Sequence, residues 1–96
     1  MKPSQALEQH RAAIRRIVER HRACNARVFG SVLRGTDDES SDLDLLVDAT
    51  DSTTLFDLGA IQYEVSQLLG IGVDVLTPGA LPEKWRDRVL QEARPV

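Results

Sequence analysis

Apolar positions along this chain repeat with two different periods. Leu7, Ile14, Ile17, Val18 and His21 recur at helical spacing, while Arg11, Arg15, Arg16, Arg20 and Arg22 fall mostly off that stripe. The pattern predicts an amphipathic helix over residues 5–23 with Ser4 as its cap. Cys24–Ala26 reads as a turn and Arg27–Phe29 as a short strand that Gly30 stops. Ser31–Arg34 fits one helical turn, and TDDESS a polar loop. The period then changes to two: Leu43, Leu45 and Val47 face one way, and Asp42, Asp44 and Leu46 the other, which predicts a strand over Asp42–Val47.

Leu55, Leu58, Ile61, Val65, Leu68 and Leu69 make the stripe of a second helix over residues 53–69, with Gly70 as its end signal. Gly72–Thr77 reads as a third strand interrupted by Asp74 and broken by Pro78 and Gly79. Leu81, Trp85, Val89 and Leu90 line a last helix that Pro95 closes. The element order predicts an α+β (α/β) fold with one three-stranded sheet and helices covering one face. Residues 1–96 fit a single domain, since a chain of this length buries roughly 60–65 % of its unfolded surface.

Composition narrows the setting. No apolar run approaches the roughly 20 residues needed to cross a bilayer, and the start MKPSQALEQH has no apolar signal core. One cysteine, Cys24, rules out an internal disulfide and any cysteine-based metal cluster, and it fits a reducing compartment. Cytoplasmic residence is the expectation. Net charge is −3, but residues 1–35 hold eight Lys/Arg against two Glu, whereas residues 36–77 hold ten acids and no Lys or Arg. That acidic middle repels nucleic-acid phosphates and weighs against direct nucleic-acid binding. The arginines of the first helix read as a solvated face.

Candidate chemistry lies within the acidic middle. Asp42 and Asp44, two residues apart on a strand, emerge on one face with α-carbons roughly 6–7 Å apart. Carboxylates so placed can share a hard divalent cation, Mg²⁺ or Mn²⁺. Asp74, between Val73 and Val75, adds a third if its strand lies alongside. Three carboxylates on adjacent strands could hold two metals roughly 4 Å apart, an arrangement suited to in-line attack at phosphorus. The alternative is structural, with Asp42 a cap or turn residue and Asp44 and Asp74 charges guarding exposed strand edges. Against it stands the cost of a charge among strand leucines, several kcal/mol unless compensated. Gly30-Ser31 adds a place where backbone can approach a phosphate and a hydroxyl can bond it. Arg34, one helical turn on, is near enough to meet a phosphate or orient an aspartate. The lysine and long glycine loop of a P-loop are both missing.

These residues together resemble the minimal nucleotidyltransferases of the DNA-polymerase-β-like superfamily. The resemblance rests on Gly30-Ser31, Arg34-Gly35, Ser41-Asp42-Leu43-Asp44 and Asp74 in VDVLTP. It covers most of the chain, including the tail RDRVLQEARPV, which lacks the closing tyrosine often found there. It implies a small nucleotidyltransferase fold with a short mixed sheet, and transfer of AMP from ATP to an acceptor hydroxyl with two Mg²⁺. On that resemblance Asp42 and Asp44 bind metal, Asp74 completes a metal site and helps activate the acceptor, and Gly30 and Ser31 hold the triphosphate, beside Arg34.

Small members of this kind act as antitoxins to a HEPN-domain ribonuclease toxin, modifying one of its tyrosines within a hetero-oligomer. A protein that silences its partner by contact alone is the competing expectation. Larger relatives carry a further substrate domain, so their roles fall away. Elsewhere, His10 and His21 read as packing or surface residues, Trp85 as a core anchor whose exposed edge could join a partner interface, Tyr63 as facing solvent or a partner, and Cys24 as unreactive.

Overall fold

A computed structural model describes residues 1–96. Helix α1 (Pro3–Arg20) leads into strand β1 (Ala23–Phe29), the single-turn helix α2 (Ser31–Arg34) and strand β2 (Leu43–Ala49). Helix α3 (Leu55–Leu69), strand β3 (Val73–Leu76), a 3₁₀ turn over Pro78–Ala80, helix α4 (Glu83–Glu92) and strand β4 (Arg94–Pro95) complete the chain. The sheet order is β3-β2-β1-β4, with β2 and β3 parallel and the other pairs antiparallel. This is the α+β fold with a short mixed sheet that the sequence predicts, with a fourth strand of two residues added.

The core forms where the two periods meet. Leu43, Leu45 and Val47 of β2 are fully buried, together with Ile14 and Val18 of α1 and Ile61 and Val65 of α3. Burying each such side chain contributes roughly 1.5–3 kcal/mol. Leu46, on the opposite side of β2, is equally buried, and the 3₁₀ turn packs against that strand. The opposite side of the central strand is therefore apolar only at Leu46, between Asp44 and Asp48.

Several element ends differ from the periodic reading. Ser4 does not cap α1: the helix starts at Pro3, a residue preorganised for a first turn. The Ser4 backbone N–H instead donates to the Asp37 carboxylate at 2.9 Å, tying α1 to the loop after α2. Cys24–Ala26 is not a turn but part of β1, with a bulge between Cys24 and Arg27 and Asn25 at φ +52°. Asparagine tolerates that left-handed backbone better than most residues, so the strand continues through it. Pro95 does not simply stop a helix. It pairs in the sheet beside Arg27, and the Val96 N–H donates to Ala26 O at 2.9 Å.

The two later helices depart most from expectation. On α3, Leu55 and Phe56 are 85 % and 90 % exposed, because the core contact begins only a turn later. On α4 no residue is buried, and of the predicted stripe only Leu81, ahead of the helix, is inside. Trp85 is therefore not a core residue. Six of the ten α4 residues are charged, and three apolar side chains are too few to hold it against the sheet. Hydrogen bonds hold it instead: the Arg86 guanidinium donates to Pro78 O at 2.9 Å and Leu81 O at 3.0 Å. No helix is long and apolar enough to cross a membrane.

Candidate active site

The end of β1 and the starts of β2 and β3 come together at one end of the sheet. Asp44 and Asp74 are register partners on the parallel strands β2 and β3, so both side chains leave the same face about 4.8 Å apart along the hydrogen-bonding direction. Phe29 is the partner of Asp44 on the other side. Asp42 stands just before β2, exposed, as is Asp74; Asp44 is half-buried. None of the chain's seven ion pairs includes any of these three carboxylates.

Two glycines make room for them. A Cβ on Gly30 would collide with the Asp44 carboxylate, and one on Gly72 with that of Asp42. Gly30 also has φ +74°, which other residues rarely adopt. Gly72 is fixed beside Asp42 by the Leu43 N–H, which donates to its carbonyl at 3.0 Å. Backbone thus presses close to two acids, where any side chain would displace them.

The electrostatics follow from this crowding. Burial raises the Asp44 carboxyl above its ordinary pKa, and the nearby charges of Asp74 and Asp42 raise it further, while Arg34 opposes them. Arg34 ends α2, and its backbone N–H donates to Gly30 O at 3.1 Å, closing the turn that Gly30 opens. Ser31 is the first residue of that turn, and no side chain caps it. All six residues singled out from the sequence, Gly30, Ser31, Arg34, Asp42, Asp44 and Asp74, thus belong to one neighbourhood.

A resident divalent cation is implied by the type of site, and the donors suit it. Hard carboxylate oxygens under mutual repulsion are what Mg²⁺ or Mn²⁺ relieves. No three His, Cys, Asp or Glu side chains stand close enough together to hold a metal ion among themselves, so substrate oxygens and water would have to complete the set. An open carboxylate set of this kind suits Mg²⁺, which keeps waters and shares ligands with substrate phosphates.

Clefts of opposite character flank the acids. On one side, Phe29, Gly30, Arg34, Trp85, Arg88, Val89 and Glu92 line about 340 Å³. On the other, Asp42, Gly72 and Asp74 face Gly59, Gln62, Tyr63 and Ser66 of α3 across about 360 Å³, with no positive charge. Periodicity did not single out Gly59, Gly72 or Arg88, and it placed Trp85 in the core. For Trp85 a signal existed: Lys84 and Arg86–Arg88 surround it with charge, which marks an exposed helix face.

The chain resembles known proteins over most of its length. Residues 7–96 match the nucleotidyltransferase domain family. A Methanocaldococcus jannaschii protein described as a protein adenylyltransferase is 39 % identical over 77 residues, 80 % of this chain and 83 % of that protein. A solved structure described as a minimal nucleotidyltransferase superposes with a TM-score of 0.87 at 40 % identity, covering 97 % of this chain and 95 % of the other. A toxin–antitoxin structure with AMP-PNP shares the fold at a TM-score of 0.70 and 16 % identity, over 97 % of this chain and 71 % of that one.

Proposed function

This chain belongs to the nucleotidyltransferase-domain family and is a nucleotidyltransferase, and we propose that it moves AMP from ATP to a hydroxyl, a tyrosine, on a partner protein. The partner in this reading is a HEPN-type ribonuclease toxin, and the chain acts as its antitoxin. One observation carries the reading: Asp44 and Asp74 are paired across parallel strands, and the backbone of Gly30 lies against Asp44.

In this reading Asp42, Asp44 and Asp74 hold two divalent ions, Mg²⁺ with Mn²⁺ as an alternative. When bound, the metal supplies Lewis-acid stabilisation of charge on the phosphates and lowers the pKa of the incoming hydroxyl. The chain's own groups do the positioning. Gly30 and Ser31 bring backbone N–H groups and one hydroxyl to the triphosphate, and Arg34 adds a positive charge beside Asp44. The acceptor oxygen forms its bond to the α-phosphorus as the bond to the β-phosphate oxygen breaks, and pyrophosphate leaves. Asp74, which with Asp42 lines the cleft beside α3, takes the acceptor proton. A docked partner holds its hydroxyl within about 3–3.5 Å of phosphorus, converting encounter into an intramolecular step.

The adenylyltransferase description of the Methanocaldococcus relative supports AMP as the group moved. The toxin–antitoxin relative supports a protein partner. The exposed Leu55 and Phe56, one turn ahead of Gly59 in the acidic cleft, offer that partner an apolar contact. The same exposure favours a second reading, in which contact alone silences the toxin.

One experiment separates the two. The protein is incubated with the product of its neighbouring gene, ATP and Mg²⁺, and the partner is weighed intact. Gain of one or more AMP groups is expected, and it should vanish in the double variant Asp42→Asn with Asp44→Asn. Full protection by that variant, without any mass gain, would establish silencing by contact and remove the catalytic reading.

A further inference from the structure

Trp85 is the only tryptophan in the chain and remains 55 % exposed on a helix that buries none of its residues. Leaving a large aromatic in water forfeits the stabilisation its burial provides, so its location matters. With Val89, one turn along α4, it lines the cleft of about 340 Å³ that also contains Phe29 and Gly30. Gly30 is the residue packed against Asp44, and Phe29 is the register partner of Asp44. The indole thus shares a cleft with residues in direct contact with the reactive end of the sheet.

The surrounding charges narrow the choice of occupant. Arg34, Arg88 and Glu92 line the same cleft, Glu92 pairing with Arg88 at 3.2 Å, and an adjoining one of about 600 Å³ shares all three and adds Arg94, so the arginines leave a net positive rim. An aromatic and two aliphatic or aromatic neighbours, bordered by arginines, suit a flat heterocycle attached to phosphates. They suit an apolar peptide less well, since that would leave the guanidiniums facing hydrocarbon. The helix is also held at its start by the Arg86 hydrogen bonds to the 3₁₀ turn, so Trp85 is positioned without being buried.

We infer that this cleft receives the base and ribose of the nucleotide, with the base stacked on Trp85 and the arginines on its phosphate side. The inference rests on the nucleotidyl-transfer reading and adds to it where the base lies. Stacking on an aromatic face contributes about 1–3 kcal/mol per base and grows with the area of the ring system. The cleft therefore prefers purine over pyrimidine nucleotides.

A sole tryptophan makes the test direct. Wild-type protein in Mg²⁺ is titrated with α,β-methylene-ATP, which cannot transfer AMP, and separately with tripolyphosphate. Tryptophan emission and calorimetric binding are both followed. The analogue should quench emission as it binds, and tripolyphosphate should bind without quenching. Trp85→Ala should weaken the analogue about 10-fold with tripolyphosphate unaffected, and Trp85→Phe should restore most of the loss. Calorimetric binding of the analogue with unchanged emission, and equal affinity in Trp85→Ala, would place the base elsewhere and overturn the inference while leaving the transfer reading intact. If Trp85→Ala weakens only partner binding, α4 is a protein-docking face and the inference fails. Absence of binding by either ligand, together with no AMP transfer, would overturn the transfer reading and the inference with it.

Discussion

Acids at the helix ends and acids on the sheet have opposite electrostatic situations. Asp57, in the first turn of α3 and nearly buried, accepts the Thr54 N–H at 2.8 Å and pairs with Arg22 at 2.9 Å. Those hydrogen bonds, led by that of the Thr54 backbone, hold its carboxyl below the usual range although burial pulls the other way. Asp37 is similar: burial pulls its pKa up, but hydrogen bonds from Ser4 outweigh it and the net shift is downward. Asp44 instead is raised by burial and by Asp74 and Asp42. The fold supplies donors to the acids that stabilise it. It also pairs Asp48, further along β2, with Arg27, but leaves Asp42, Asp44 and Asp74 outside every ion pair, with Arg34 the one internal charge that opposes the shift at Asp44.

The largest expected effect comes from removing charge at that point of conflict. Asp44→Asn should lower AMP transfer by at least about 10²-fold, the scale of losing one preorganised electrostatic contact. The same change should raise the melting temperature of metal-free protein at neutral pH. The sign follows from linkage: a raised carboxyl pKa means the folded state binds its proton more tightly than the unfolded one. The charged form is therefore a burden that grows as pH rises through the folded pKa. Turnover within 10-fold of wild type, or a lower melting temperature in EDTA, would contradict the contrast drawn between the two sets of acids.

Asp57→Ala should do the reverse. Loss of the box it forms with Thr54, and of the Arg22 pair, should cost about 1–2 kcal/mol. In a domain of this size that lowers the melting temperature by about 4–8 °C per kcal/mol. Transfer per folded molecule should be unchanged. Since the Asp57 pKa is depressed, its contribution is fully present above the unfolded value near 3.8 and is lost as pH falls through the lower folded value. The stability gap between wild type and Asp57→Asn should therefore narrow only in that acid window, as read by denaturant melts from pH 6 down to pH 2. A gap that closes already between pH 6 and pH 5 would mean another group is responsible.

This contrast also sets what could be read from sequence. The alternation in DLDLLV and the lone acid in VDVL located Asp42, Asp44 and Asp74, because a charge inserted into a strand period of two stands out, and the Gly30-Ser31 pair pointed to the turn beside them. Helical stripes on α1 and the middle of α3 placed most of the core. The bulge at Asn25 was not legible, since its signal is a single residue tolerating positive φ. Nor was the short strand at Arg94–Pro95, which depends on backbone pairing with β1 across most of the chain. Trp85 was misplaced because apolar size was weighed above the six charges of its helix. Gly72 drew no notice because its reason, room for the Asp42 carboxylate, lies in contact rather than period.

The smallest expected effect concerns a position without charge. Gly59 lies within α3, is exposed, and has open space where a Cβ would be. A mid-helix glycine costs up to about 1 kcal/mol relative to alanine, and no contact within the chain requires one here. Gly59→Ala should therefore stabilise the protein by up to that amount. Gly59 nevertheless lines the acidic cleft with Asp42, Asp74 and Tyr63, the side from which the partner's hydroxyl approaches in the proposed transfer. Gly59→Leu should then leave nucleotide affinity unchanged and raise the partner concentration needed for half-maximal transfer several-fold. If both variants are stabilising and transfer is indifferent to either, the acceptor enters elsewhere. If nucleotide affinity falls as well, the two clefts are not separate routes to the carboxylates. A rise confined to the partner would show that an uncharged position, like the sheet acids, has been left below its stability optimum for the sake of what must reach the site.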